Sequence, residues 1–154
     1  MRSTIAELAP PGMMPRVADR IFVDTNILLY SISDAPAEAG KQAIAVEILA
    51  GANCVLSAQV LQVFFAQATR STKAHPIPAD IAWTMMTAWR RFPVQQTDGD
   101  VLDGAYALHR DHRFAWWDSL IVAAAQAQGC RLLYTEDMQH GRIVGGLRIV
   151  NPFS

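Results

Sequence analysis

Cysteine is scarce in this sequence: Cys54 and Cys130 are the only two, and neither has the close Cys or His neighbour that a zinc site uses. A disulfide framework and structural zinc are thereby set aside. Both residues read as small buried thiols at the openings of strands, in a reducing compartment. An excess of positive charge is missing too. Lys and Arg number 13 against 14 Asp and Glu, a formal charge of −1, so bulk electrostatics does not hold nucleic acid on this chain and only a local basic patch would. No apolar run approaches the roughly 20 residues of a membrane span. Glu7 and Pro10-Pro11-Gly12 interrupt the early residues, which departs from a secretory leader. A cytoplasmic protein without membrane attachment is expected. The four histidines, His75, His109, His112 and His140, have no paired spacing, which argues against a metal-free, histidine-driven ribonuclease. Internal repeats and low-complexity tracts are also absent from the sequence.

What is present is an apolar fraction of 51% in 154 residues, enough for one continuous core. The three prolines between Met1 and Asp19 predict a mobile extension over 1–19, with one domain over 20–154. That domain is organised around Ile21-Phe22-Val23-Asp24-Thr25-Asn26. A β-branched and aromatic run stops at a carboxylate, and a helix over Asn26 to Ser31 leaves from the same point. Strand and helix then alternate: a helix over Ala37 to Ala50, a strand over Cys54 to Leu56, and Ser57 as N-cap of a helix over Gln59 to Arg70. Val60, Val63, Phe64 and Ala68 are expected on one face of that helix. Ala79 to Arg91 forms a further helix with Ile81, Met85 and Trp89 in register. Pro93 to Thr97 is a weak third strand, Asp98 caps a helix over Asp100 to Arg110, and Trp116 to Gln128 is a helix apolar nearly all round. Arg131 to Tyr134 and Leu147 to Val150 close the chain as strands. Such alternation is the signature of an α/β fold with a parallel sheet.

Three aspartates stand where they can meet. Asp24 and Asp137 each follow a buried strand, and Asp118 lies in the first turn of the buried helix; if the first and fourth strands are neighbours, all three face one cleft. Two carboxylates about 4 Å apart repel by roughly 4 kcal/mol at an effective dielectric near 20, so such a cluster calls for protonation or a cation. Oxygen ligands with amide and hydroxyl groups nearby (Asn26, Ser119, Thr135) suit Mg²⁺, or Mn²⁺ in its place, and phosphodiester hydrolysis is the natural chemistry. Taken singly, each aspartate is more commonly a helix cap or a turn former; together, with two at strand ends, they favour the metal reading. A haloacid-dehalogenase-type phosphatase needs an Asp where Asn26 stands, and a receiver domain needs an adjacent acid pair before its phosphorylated Asp.

Val23-Asp24-Thr25-Asn26, Ser57-Ala58-Gln59-Val60-Leu61-Gln62, Trp117-Asp118-Ser119-Leu120-Ile121, Thr135-Glu136-Asp137 and Asn151-Pro152-Phe153, in that order, resemble the PIN-domain nucleases. The likeness is in particular to the VapC-type toxins of bacterial toxin–antitoxin pairs. That resemblance implies a three-layer α/β/α sandwich around a parallel sheet of four to five strands, and a Mg²⁺-dependent ribonuclease site. It also implies an RNA substrate, a cognate antitoxin and a homodimer. It makes Asp24, Asp118 and Asp137 the catalytic and metal-site acids, supported by Asn26, Ser119 and Thr135. One departure stands out: the family's second acid, a glutamate, is Val63 here, which implies weaker metal binding and reduced activity. The rival reading is a PIN-like module that binds RNA or an antitoxin without cutting.

Arg110, His112, Arg113, Phe114 and Trp116 combine positive charge with flat rings ahead of Asp118, as single-strand RNA contacts do. They are the candidate substrate surface, whereas Trp117 reads as core. Exposed parts of the Ala37 to Ala50 and Ala79 to Arg91 helices are the candidate antitoxin surface.

Overall fold

Ile21, Phe22 and Val23 are all buried, so β1 (Ile21–Val23) is covered on both faces, as the middle strand of a parallel sheet is. The structure is a computed structural model that describes residues Asp19 to Ser154. Apart from Asp19 itself, the expected extension lies outside the described residues. Asp24 ends the strand and caps α1 (Thr25–Ser31), its side chain accepting from the Thr25 backbone N–H. After a short 3-10 turn at Pro36–Glu38 come α2 (Ala39–Ala50), β2 (Cys54–Ser57), α3 (Ala58–Ala68), α4 (Ala79–Trp89) and β3 (Val94–Gln95). Then follow α5 (Gly99–His112), α6 (Trp116–Ala127), β4 (Leu132–Tyr134), β5 (Ile143–Val144) and β6 (Leu147–Val150). Ser57 and Asp98 cap α3 and α5 as expected, accepting from the N–H groups of Val60 and Val101.

Among the described residues the sheet has six strands in the order β3-β2-β1-β4-β6-β5. All neighbouring pairs are parallel except β5 with β6. From β1 the chain steps outward through β2 to β3, then returns to place β4 on the other side of β1. That reversal leaves a crevice between β1 and β4 at their carboxyl ends, where ligands of open α/β sheets bind. The register fixes what faces it: Val23 pairs with Tyr134, so Asp24 and Thr135, the next residues on each strand, stand side by side. The fold is the expected three-layer α/β/α sandwich, with one strand more than the four to five expected. The added strand is β5, two residues that form a hairpin with β6 through Gly145 at φ 59° and Gly146. A left-handed φ there is open to glycine at no steric cost.

α6 carries seven consecutive buried residues, Ser119 to Ala125, and packs on both the sheet and α5. Its first turn is different. Trp117, expected in the core, is 68% exposed because that turn projects past the covered stretch. On α3 the buried face is Val60, Leu61, Phe64 and Ala68, so Leu61 takes the place expected for Val63, which is half-buried. α4 is rotated in the same way: Ala82 and Trp89 are buried while Ile81 is 43% exposed. The Trp89 ring meets Phe64 edge-on at 4.8 Å, which fastens α4 to α3. α5 runs on to His112, two residues past its expected end, and stops at Arg113 in the left-handed conformation, φ 61°. Among the described residues no helix is long and apolar enough to cross a membrane, and Cys54 and Cys130 are both free and buried.

Candidate metal centre

The β1–β4 register sets the first polar link of the site. The Thr135 hydroxyl donates to Asp24 Oδ2 at 2.9 Å, while Asp24 Oδ1 accepts from the Thr25 N–H at 2.7 Å. Asn26, the second residue of α1, reaches across to the end of β4. Its Nδ2 donates to Thr135 Oγ1 at 3.2 Å and to Asp137 Oδ2 at 3.0 Å, and its Oδ1 accepts from the Glu136 N–H at 3.3 Å. The Asp137 N–H donates to Thr135 Oγ1 at 3.1 Å, closing the turn. Asn26 and Thr135 therefore tie two strand ends, more than a hundred residues apart in sequence, into one polar frame. Asp24 and Thr135 are buried in it, and Asp137 stands at its exposed edge.

Burial pushes the Asp24 carboxyl up to about 6. Hydrogen bonds from Thr25 and Thr135 oppose that rise, while the charges of Asp137 and Asp118 add to it. The Asp118 carboxyl is likewise raised, first by burial and then by Asp137, with no hydrogen bond offsetting either. The three acids expected to meet thus lie within one another's electrostatic reach. Among the described residues, however, no group of three or more His, Cys, Asp or Glu side chains closes tightly enough to hold a metal ion by itself. An open set of carboxylates with uncompensated negative charge fits a hard divalent cation that keeps part of its water shell. It does not fit a soft metal or a dry cage.

Glu136 lies in the bend that follows β4, not on the extended backbone expected, and its side chain is engaged away from the acids. Its carboxylate pairs with Lys41 and accepts from the Tyr30 hydroxyl at 2.6 Å. Burial pushes that carboxyl up, but the Lys41 and Tyr30 hydrogen bonds outweigh it and hold Glu136 below its usual value. The Phe153 ring leans edge-on against Tyr30 at 5.0 Å. This clamp holds the Thr135-Glu136-Asp137 turn from outside. Sequence reading missed Lys41 and Tyr30, which carry no motif of their own.

The remaining expected residues divide. Ser119 is wholly buried and its hydroxyl donates to the carbonyls of Ala115, at 3.1 Å, and Phe114, so it braces the start of α6 and is not turned to a carboxylate. Phe114 is 6% exposed beneath the Arg142 guanidinium, 4.0 Å from its ring centre, and offers no face to a substrate. Arg110 is paired with its neighbour Asp111 at 2.7 Å, which spends much of its charge locally. His112 and Arg113 are exposed, and Trp116 is 36% exposed beside His109. Of the five, Phe114 alone is withdrawn from the surface.

These carboxylates stand at the topological switch point of a mostly parallel sheet, the place where open α/β folds bind their ligands. Residues 21–145 match the PIN domain family, and the chain belongs to that family. Similar solved structures include a toxin–antitoxin complex from Klebsiella pneumoniae, 19% identical over 86% of this chain and 97% of that one, with a TM-score of 0.64. Another is VapC20 of Mycobacterium tuberculosis, a sarcin-ricin loop cleaving toxin, 18% identical over 76% and 91%, with a TM-score of 0.58. DNA-bound VapBC of Salmonella typhimurium is 16% identical over 89% and 97%, with a TM-score of 0.58. At these identities the likeness is one of fold. No curated protein matches the chain by sequence.

Proposed function

We propose that this protein is a VapC-like toxin, an endoribonuclease that hydrolyses RNA phosphodiester bonds with a divalent ion, Mg²⁺ or Mn²⁺, in the cytoplasm. The observation that carries the reading is the pairing of Val23 with Tyr134, which brings Asp24 to Thr135 and, through Asn26, to Asp137. Asp24, Asp118 and Asp137 are the acids that hold the ion and face the scissile phosphate. When bound, a hard divalent ion supplies charge neutralisation and Lewis acidity toward a phosphodiester. Thr135 and Asn26 orient the carboxylates, and the clamp on Glu136 keeps the strand end from shifting. The neighbours of the same fold include a toxin–antitoxin complex and VapBC, which supports a cognate antitoxin as partner; a homodimer is the working form we expect.

Purified protein is expected to cleave RNA in Mg²⁺ or Mn²⁺ and to stop in EDTA; cleavage that survives both EDTA and Asp24→Asn would dismiss the reading. Asn26→Ala is expected to lower affinity for Mn²⁺ by about 10- to 100-fold, the usual effect of losing an outer-shell partner. The turn at Asp137 loses its tie to α1 in that variant. Isothermal titration with Mn²⁺ reads this directly, and unchanged affinity would remove Asn26 from the site.

A further inference from the structure

Beside the first turn of α6 lies a hollow of about 400 Å³ walled by Gln59, Gln62, Gln96, Thr97, Trp117 and Leu120. A second, of about 460 Å³, shares Gln62 and Gln96 with it and runs on to Arg90. Trp117 in its wall is the residue before Asp118, so the first hollow borders the turn of α6 that carries one of the acids, and the shared walls join the two hollows into one path toward the β2–β3 side of the sheet.

The chemistry of the walls is specific. The first hollow contains no charged side chain; it offers three carboxamides, a hydroxyl and one exposed indole. Each amide carries donors and acceptors together, the complement of a nucleobase edge. The Gln59 Nε2 donates to the Trp117 carbonyl at 3.3 Å, which fixes that amide against the indole's own backbone. Gln96, the residue after β3, lines the hollow, while the Oε1 of its neighbour Gln95 accepts from Gln128 at 2.7 Å and is spent there. A phosphate group finds no cation there until Arg90, at the far end of the path. A lone exposed tryptophan is ordinary on a protein surface; one set among three amides, one residue before Asp118, offers a flat face with hydrogen-bonding groups around it.

We propose that this hollow is a subsite for an unpaired nucleobase next to the scissile phosphate. Trp117 supplies the stacking face, Gln59, Gln62 and Gln96 read the base edge, and Arg90 meets the backbone further along. The subsite rests on the ribonuclease reading above and assigns sequence preference to residues outside the acid cluster.

Binding of labelled short homopolymers of A, C or U, measured by fluorescence anisotropy in EDTA, tests it alongside cleavage of a mixed RNA in Mg²⁺. Trp117→Ala is expected to weaken binding of all three by roughly 10-fold, the size of one lost base–aromatic stack. Trp117→Phe, which keeps a stacking ring, should stay close to the parent. Gln62→Leu and Gln96→Leu should reorder the three homopolymers while overall binding persists. The subsite is overturned if Trp117→Ala binds as the parent does, if the Phe variant falls as far as Ala, or if the glutamine variants depress all three equally. It is also overturned if Trp117→Ala changes only the oligomeric state seen by light scattering, which would make the indole part of a protein interface. Mg²⁺-dependent cleavage unaltered in Trp117→Ala removes the subsite and leaves the nuclease; a parent that neither binds nor cleaves RNA removes both.

Discussion

Asp24→Asn is expected to raise the melting temperature of the metal-free protein at neutral pH while ending divalent-ion-dependent cleavage. Burial raises the folded-state pKa of Asp24 from 3.8 to about 6. Between those values the unfolded chain has released a proton that the folded chain still holds, so stability falls as pH rises through the window. Above it the carboxylate is charged in both states, and its burial costs the fold about 3 kcal/mol. Asparagine removes that charge and still accepts from the Thr25 N–H as a helix cap. Its amide then faces a Thr135 hydroxyl already engaged by Asn26 and by the Asp137 N–H, which takes back part of the gain. A net increase of about 1 kcal/mol corresponds to roughly 2–4 °C for a domain of this size. Thermal melts in EDTA at pH 7.5 should show it, and at pH 4, where the parent's carboxyl is protonated, the difference should vanish. Mg²⁺ or Mn²⁺ should raise the melting point of the parent and not of the variant, and RNA cleavage should fall by more than about 100-fold. A variant that melts lower than the parent at pH 7.5, or that cleaves as well, would contradict the account of Asp24 as a costly, buried, functional charge.

The parts of this site that could be read in the sequence share one physical cause. A strand followed by a carboxylate, directly at Asp24 and three residues on at Asp137, is a local pattern, and the parallel pairing of β1 with β4 brings those two strand ends side by side. Caps at Ser57 and Asp98 are local too. What escaped reading depends on rotation and distance. A helix turns about 100° per residue, so a small error in the phase of α3 exchanges Leu61 for Val63 on the buried face, and the same error on α4 misplaces Ile81. Trp117 continues an apolar run, yet that run is covered only from Ser119 onward. Phe114 sits in a short loop, yet it joins the core and is covered by Arg142 from a distant segment. β5 is two residues long and lies beside glycines, so it has no period to detect. The glutamines of the hollow come from α3 and from the end of β3, and polar residues on separate elements leave no periodic trace.

Val63→Glu is the substitution with the second large effect, because it adds a fourth carboxylate close to the site. The Thr25 hydroxyl donates to the Val60 carbonyl at 3.3 Å, which sets that turn of α3 against the β1–α1 junction. Position 63 lies three residues on, along the same side of the helix, and is half-buried. A glutamate there is long enough to direct its carboxylate toward the junction, where Asp24, Asp118 and Asp137 already repel one another. Without a cation the new charge is destabilising: at an effective dielectric near 20, each like charge a few ångströms away costs up to about 4 kcal/mol. Solvent at the open edge reduces that, so the metal-free melting point should drop by several degrees, roughly 1–2 kcal/mol. With Mn²⁺ the sign reverses. An added oxygen ligand should tighten binding by about 10-fold or more, and saturating Mn²⁺ should stabilise the variant more than the parent. Melts with and without Mn²⁺ test the geometry separately from activity, and a variant whose metal response equals the parent's would place position 63 outside the site. Cleavage then decides between the two forms of the functional reading. If both proteins cut RNA and the variant cuts faster, the three native acids already make a working nuclease; if only Val63→Glu cuts, the native chain is a binding module that lost its chemistry at this one position.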